Sequence, residues 1–196
     1  MNRTPLYDEH VRLGGKVVDF NGWALPVQFT GIVQEHQHTR TKASLFDCSH
    51  MGEYRVHGAD AIEKFNLEVM SDIPKIPVGR CRYGAILNEN GGIVYDIITF
   101  RMAEDELYVV TNAGPLEHVT ERLQKGNPGL QHVSYETAKI DVQGPLSRDK
   151  VLAAVGQRGL PGLSPQRPGP RVAHKLRGEV LELVDRQSAE CGPLSA

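Results

Sequence analysis

The sequence lacks several features that would assign it to a specialised class of protein. No apolar run approaches the roughly 20 residues that span a bilayer. The net charge is only −2, so neither a membrane nor nucleic acid is expected as a partner. The three cysteines stand at long, irregular spacings, which excludes a disulfide framework and a four-ligand zinc site. With neither a secretory segment nor a transit peptide at the start, the sequence predicts a cytoplasmic protein without a metal centre.

The chain also lacks aromatic residues beyond Tyr135, and its composition changes after residue 155. Eight of the fifteen residues 156–170 are Gly or Pro. Residues 156–196 carry five Arg and one Lys against one Asp and three Glu. A segment with so little to bury is expected to be a flexible tail, with at most one or two helical turns over 180–184. The sequence therefore predicts one domain over 1–155 and an irregular tail over 156–196.

Residues 1–155 mix helix and strand signals without strict β-α-β alternation. Thr4 and Pro5 are typical of a helix start, an N-cap hydroxyl followed by Pro at the first helical position. Apolar spacing predicts further helices over 32–43, 58–69, 115–124 and 146–155. Alternation predicts strands over 17–20, 54–57, 82–87, 93–101, 107–111, 131–135 and 139–142, with a β-meander at the centre. This mixture indicates an α+β fold with an antiparallel or mixed sheet and flanking helices.

Asp96 is the most informative single residue, because it lies in a run of β-branched neighbours. A carboxylate there is costly to desolvate unless it has hydrogen-bond partners or a functional role. In a strand, Val94, Asp96 and Ile98 share one face. If that face is turned to the core, the carboxylate requires a donor or a cationic ligand; if it faces water, Asp96 is an ordinary surface residue. The residues alone leave both interpretations open.

Several short segments together carry a resemblance to a known family. They are TPLY at 4–7, FNGWALPVQ at 20–28, LFDCSHMGE at 45–53, RY at 82–83, NENGG at 88–92, VTNAG at 110–114 and VQGP at 142–145. Each segment is weak by itself, but their order and spacing are specific. From residue 4 to about residue 155 the chain resembles the T-protein family, the folate-dependent aminomethyltransferases of the glycine cleavage system.

The resemblance implies a fold and a reaction. The fold is the N-terminal folate-binding domain of that family. In the reaction, a lipoyl arm on a carrier, the H-protein, presents an aminomethyl group, tetrahydrofolate accepts its methylene carbon, and ammonia leaves. Tetrahydrofolate is therefore expected as the one-carbon acceptor substrate, and lipoylated H-protein is expected as the partner.

The resemblance also implies roles for four residues. Asp96 matches a strand aspartate that hydrogen-bonds the pterin side of folate and helps to make a ring nitrogen nucleophilic. Met51, Tyr83 and Asn112 match positions that line the folate pocket. Without the resemblance, each of these three is also explained as a core, cross-strand or turn residue. Tyr95 stands where the family often has a second acid, which leaves Asp96 as the only carboxylate at this point.

The chain departs from the family after residue 155. Nothing in 156–196 matches the family's later Tyr-Thr-Gly-Glu motif, its later Arg or its barrel-like C-terminal domain, so the resemblance implies truncation there. Because a half-built pocket leaves the ligand surface in water, we expect weak tetrahydrofolate binding and little or no turnover. Three alternatives stay open: a demethylation domain of the dimethylglycine or sarcosine dehydrogenase type, a non-catalytic folate-binding relative, and an inactive fragment.

Overall fold

The computed structural model describes residues 1–58, 60–113, 116–155, 171–176 and 179–185. Its α-helices are α1 (Tyr7–Arg12), α2 (Ile32–Thr41), α3 (Ala61–Glu68), α4 (Leu116–Gly126) and α5 (Ser147–Val155). Its strands are β1 (Val17–Phe20), β2 (Trp23–Pro26), β3 (Ser44–Asp47), β4 (Gly52–His57), β5 (Arg80–Leu87), β6 (Ile93–Ala103), β7 (Glu106–Thr111), β8 (Leu130–His132), β9 (Thr137–Gln143), β10 (Arg171–Leu176) and β11 (Glu179–Asp185). The predicted α+β class is confirmed. Of the helices described, none has the length and apolar character needed to cross a membrane.

The chain divides into two compact units. The first combines Met1–His50 with Tyr135–Arg186, and the second contains Met51–Ser134. In the first unit, β1 pairs with β2, and a four-stranded sheet has the order β11-β10-β9-β3. In the second unit, a five-stranded sheet has the order β5-β6-β7-β4-β8. All of these described strand pairs are antiparallel, so the predicted meander of β5, β6 and β7 is confirmed.

One face of the five-stranded sheet carries the main core of the second unit. Alternation along the strands sends every second side chain to this face, and helices α3 and α4 bury their apolar stripes in the same cluster. The members of the cluster include Tyr54, Val56, Ile97, Val109, Ile62, Phe65, Val119 and Leu123. The opposite face of β6 is thereby left for Asp96.

Asp47 holds the N-terminal segment of the first unit. Its side chain is only 3% exposed and accepts hydrogen bonds from the Thr4 hydroxyl at 2.6 Å and the Ser49 backbone N–H at 3.0 Å. The His10 ring nitrogen Nε2 lies 2.8 Å from the same carboxylate. The prediction that Thr4 caps α1 is wrong, because its hydroxyl is used by Asp47 while Leu6 occupies the N-cap without a side-chain hydrogen bond.

We expect the free energy of unfolding to fall at acid pH through Asp47. Burial raises the pKa of this carboxyl, but the hydrogen bonds from Thr4, His10 and Ser49 together lower the pKa below its ordinary value. A carboxyl with a depressed pKa stabilises the fold above its unfolded pKa of about 4 and loses that contribution as the pH falls through the folded pKa. Urea unfolding from about pH 7 down to about pH 2 measures the loss. In Asp47→Asn the profile should be shallower, and an equally steep profile would contradict this assignment.

The four-stranded sheet of the first unit contains a buried ion pair. Lys139 and Asp141 are two residues apart on β9 and therefore share a face. Their Nζ and Oδ1 atoms are 2.6 Å apart, and the side chains are 0% and 3% exposed. The Lys139 backbone N–H also donates to the Ser49 hydroxyl oxygen at 3.2 Å. Each of these buried charges carries a large desolvation cost, which its attraction to the other offsets.

Strands β10 and β11 lie within the segment that the sequence predicts to be a flexible tail. Strand β10 pairs with β9, with Arg171 opposite Val142, and β11 pairs with β10. The predicted helical turns over 180–184 are wrong, because these residues belong to β11. The remainder of the predicted tail lies outside the described residues. The domain boundary at residue 155 stays a prediction.

Candidate functional site

Asp96 lies near the middle of β6, on the face that points away from the main core of the second unit. Its neighbour Ile97 is buried in that core, and Tyr95 packs against it. Strand alternation therefore turns Asp96 the other way, together with Ile98, and both are half-buried. Val94 lies where the register of β5 and β6 shifts by one residue, so the predicted alternation is interrupted there. The sequence left open whether the face that carries Asp96 is turned toward the core or away from it. In the structure this face points away from the main core of the second unit. Asp96 nevertheless has partners.

Both oxygens of the Asp96 carboxylate accept hydrogen bonds from neighbouring strands. The Tyr83 hydroxyl donates to Oδ2 at 2.7 Å, and the Asn112 side-chain amide donates to Oδ1 at 2.8 Å. Tyr83 belongs to β5, and Asn112 directly follows β7, so the two donors lie on opposite sides of β6. The structure thus brings three of the four predicted site residues into one hydrogen-bonded group.

The register of β5 and β6 explains how Tyr83 reaches the carboxylate. Ala85 is directly opposite Asp96, and Tyr83 is opposite Ile98. Tyr83 is therefore a diagonal neighbour of Asp96 on the same face, a separation that aromatic and long side chains span. The small side chain of Ala85 leaves that diagonal free of a second large group.

The register of β7 sets the positions of Asn112 and Met51. Thr111 is opposite both Ile97 and Gly52. Continuing this register by one residue places Asn112 beside the carboxylate on one side and beside Met51 on the other. Met51 is half-buried at this end of the sheet. Its contribution to ligand binding stays a prediction.

A second carboxylate lies on the same face of the five-stranded sheet. Glu53 is opposite Val110, which is itself opposite Ile98, so Glu53 lies one row further along the sheet than Asp96. It is only 2% exposed and accepts a hydrogen bond from the Tyr108 hydroxyl at 2.8 Å. Glu53 was not among the residues predicted from the sequence to form the site. A carboxylate next to apolar residues in a predicted strand, here Glu53 beside Tyr54, is the sequence pattern that could have indicated it.

The group formed by Asp96, Tyr83 and Asn112 can bind a planar ligand that carries N–H donors. A carboxylate accepts about four hydrogen bonds in all, so the two that the protein supplies leave room for others. Tyr83 is 48% exposed, and its ring offers a flat apolar surface. Among the described residues, no group of three or more His, Cys, Asp or Glu side chains is placed to hold a metal ion.

Comparison with known proteins supports the resemblance seen in the sequence. Residues 6–160 match the family described as the GCVT N-terminal domain. The chain belongs to this family. Two aminomethyltransferases, from Halalkalibacterium halodurans and Bacillus cytotoxicus, are each 42% identical to it over 152 and 148 residues. The matches cover 76% and 74% of this chain but only 42% and 40% of those relatives.

A solved structure shows the same fold as this member of the GCVT N-terminal domain family. It is the crystal structure of glycine cleavage system aminomethyltransferase T from Bartonella henselae, which is 36% identical to the chain with a TM-score of 0.73. The match covers 79% of this chain and 44% of that one. The predicted family and fold are therefore confirmed. The chain spans less than half the length of these relatives.

Proposed function

We propose that this chain provides a tetrahydrofolate-binding site of an aminomethyltransferase of the glycine cleavage system. Family membership supports this proposal, and the observation that carries it is the Asp96 carboxylate held by Tyr83 and Asn112. The resemblance assigns a folate-binding aspartate to that same strand position. Lipoylated H-protein is the proposed partner, and the cytoplasm is the proposed location.

The proposed reaction moves one carbon from a thioether to tetrahydrofolate. The lipoyl arm presents its sulfur-bound aminomethyl group, ammonia leaves, and the carbon–sulfur bond breaks to return the dihydrolipoyl thiol. The methylene carbon then bridges two nitrogens of the folate. In this scheme Asp96 accepts a hydrogen bond from a folate N–H, which shifts electron density toward that nitrogen and makes it a better nucleophile. A positioned group of this kind contributes typically about 10²–10⁴ in rate.

Tetrahydrofolate binding tests the proposal directly. We expect isothermal titration calorimetry with the 196-residue chain to show binding weaker than micromolar. A matched control ligand is p-aminobenzoylglutamate, which has the tail of the folate without the pterin and should bind no better than background. Absence of any tetrahydrofolate binding, or equal binding of both ligands, would contradict the proposed function.

A transfer assay separates the proposed enzyme from its alternatives. The chain is mixed with aminomethyl-loaded carrier and tetrahydrofolate, and the release of ammonia is followed. Slow release that depends on both substrates supports aminomethyl transfer. Folate binding without release favours a non-catalytic folate-binding relative, and demethylation of dimethylglycine or sarcosine would replace the proposal with the other enzyme class.

A further inference from the structure

The two hydrogen bonds to Asp96 constrain the carboxylate from both sides. Rotation about the Cβ–Cγ bond of Asp96 would move both carboxylate oxygens. Each oxygen accepts a hydrogen bond, at 2.7 Å from Tyr83 and at 2.8 Å from Asn112, so rotation would break these bonds. Hydrogen bonds to a charged group are short and about twice as strong as neutral ones. The group therefore has one preferred orientation before any ligand arrives.

The two donors differ in how they are fixed. Tyr83 lies within β5, so its backbone is held by the pairing of β5 with β6, which continues before and after Tyr83. Asn112 is the first residue after β7, and it is an exposed residue. The Tyr83 hydroxyl and the Asn112 amide bond different oxygens of the same carboxylate, so Asp96 connects the two side chains.

We propose that Tyr83 and Asn112 are positioning residues, which aim the unused acceptor positions of Asp96 at the ligand and stay bonded to Asp96 when the ligand binds. This inference rests on the proposed function, because it takes tetrahydrofolate as the ligand. It assigns the Tyr83 hydroxyl a role in addition to the place in the folate pocket that the resemblance implies. Its consequence is that a change at Tyr83 acts through the carboxylate.

A ligand-free measurement tests the positioning. The side-chain amide resonance of Asn112 in a ¹H–¹⁵N NMR spectrum reports its bond to Asp96. Asp96→Ala should move that resonance, and Tyr83→Phe should also move it because the carboxylate can then turn. In the Asp96→Ala background, Tyr83→Phe should have no effect. If Tyr83→Phe leaves the Asn112 resonance unchanged in the otherwise unaltered chain, the positioning proposal is overturned.

Binding provides a second readout with a matched control. Tyr83→Phe removes one hydroxyl and should weaken tetrahydrofolate binding about tenfold, because the ligand must then immobilise a carboxylate that Tyr83 no longer holds. Tyr95→Phe removes a hydroxyl from the opposite face of β6, where it lies 3.0 Å from the His118 ring nitrogen, and should change binding less than about twofold. Equal losses in both variants would overturn the proposal. Failure of the unaltered chain to bind tetrahydrofolate would contradict the proposed function instead, and the NMR comparison would still decide the positioning.

Discussion

Replacing Asp96 by alanine is expected to weaken tetrahydrofolate binding about a hundredfold. The change removes a charge-assisted hydrogen bond to the ligand, which contributes about 1.5–3 kcal/mol, and it leaves the Tyr83 and Asn112 donors without their shared acceptor. If the chain turns over, the rate of aminomethyl transfer should fall by about 10²–10⁴. Isothermal titration calorimetry and the ammonia-release assay measure the two effects.

Asp105→Ala is a matched control for this experiment. Asp105 lies in the turn that connects β6 and β7 of the same sheet. Its exposed carboxylate lies 3.5 Å from the His57 ring. Removing it deletes the same chemical group without touching the hydrogen bonds of Asp96. We expect unchanged folate binding, with a circular dichroism spectrum like that of the parent. If both variants lose binding equally, Asp96 has no special role.

Replacing Asp141 by alanine is expected to lower the free energy of unfolding by about 3–5 kcal/mol. The carboxylate lies 2.6 Å from the fully buried ammonium of Lys139. Without it, the ammonium loses its attraction to Asp141 while keeping its desolvation cost. A loss of this size is a large fraction of the total stability of an ordinary domain. Urea unfolding followed by circular dichroism measures it.

Two comparisons separate burial from mere charge pairing at this site. The pair formed by Lys64 and Asp60 is equally short, at 2.5 Å, but its side chains are 42% and 68% exposed, so Asp60→Ala should lower the free energy of unfolding by no more than about 1 kcal/mol. The double change Lys139→Met with Asp141→Leu replaces both buried charges by apolar groups and should restore most of the stability lost in the single variant. A single variant as mild as Asp60→Ala would refute the assignment.

Local sequence patterns predicted most of the second unit because its elements are decided by neighbours in the chain. The β-branched run around Asp96 and the turn that precedes it specify a hairpin, and Gly91 in that turn has a φ of 78°, which favours glycine. The apolar spacing in 115–124 likewise predicted helix α4, which ends at Gly126. Strand alternation predicted that Asp96 and Ile97 point to opposite faces of the sheet. These signals need no information about distant residues.

Other features depended on distant partners and could not be predicted in this way. Thr4 does not cap α1 because its hydroxyl bonds Asp47, 43 residues away. The turn-rich composition before β10 gave no sign of a strand. Strand β10 pairs with β9, which lies far from it in the chain, and a strand that depends on such a neighbour is not predicted by local composition. The sequence named Tyr83 and Asn112 through a resemblance. It did not predict that both would bond Asp96, because that depends on strand register.

The two donors to Asp96 come from β5 and from the residue that follows β7. Ligand recognition therefore depends on the correct register of β5, β6 and β7. A slip of one residue between β5 and β6 would turn Tyr83 to the other side, and the carboxylate would lose one of its two anchors. If tetrahydrofolate binds as proposed, it would stabilise the state in which the three strands have the correct register more than a state with a shifted register.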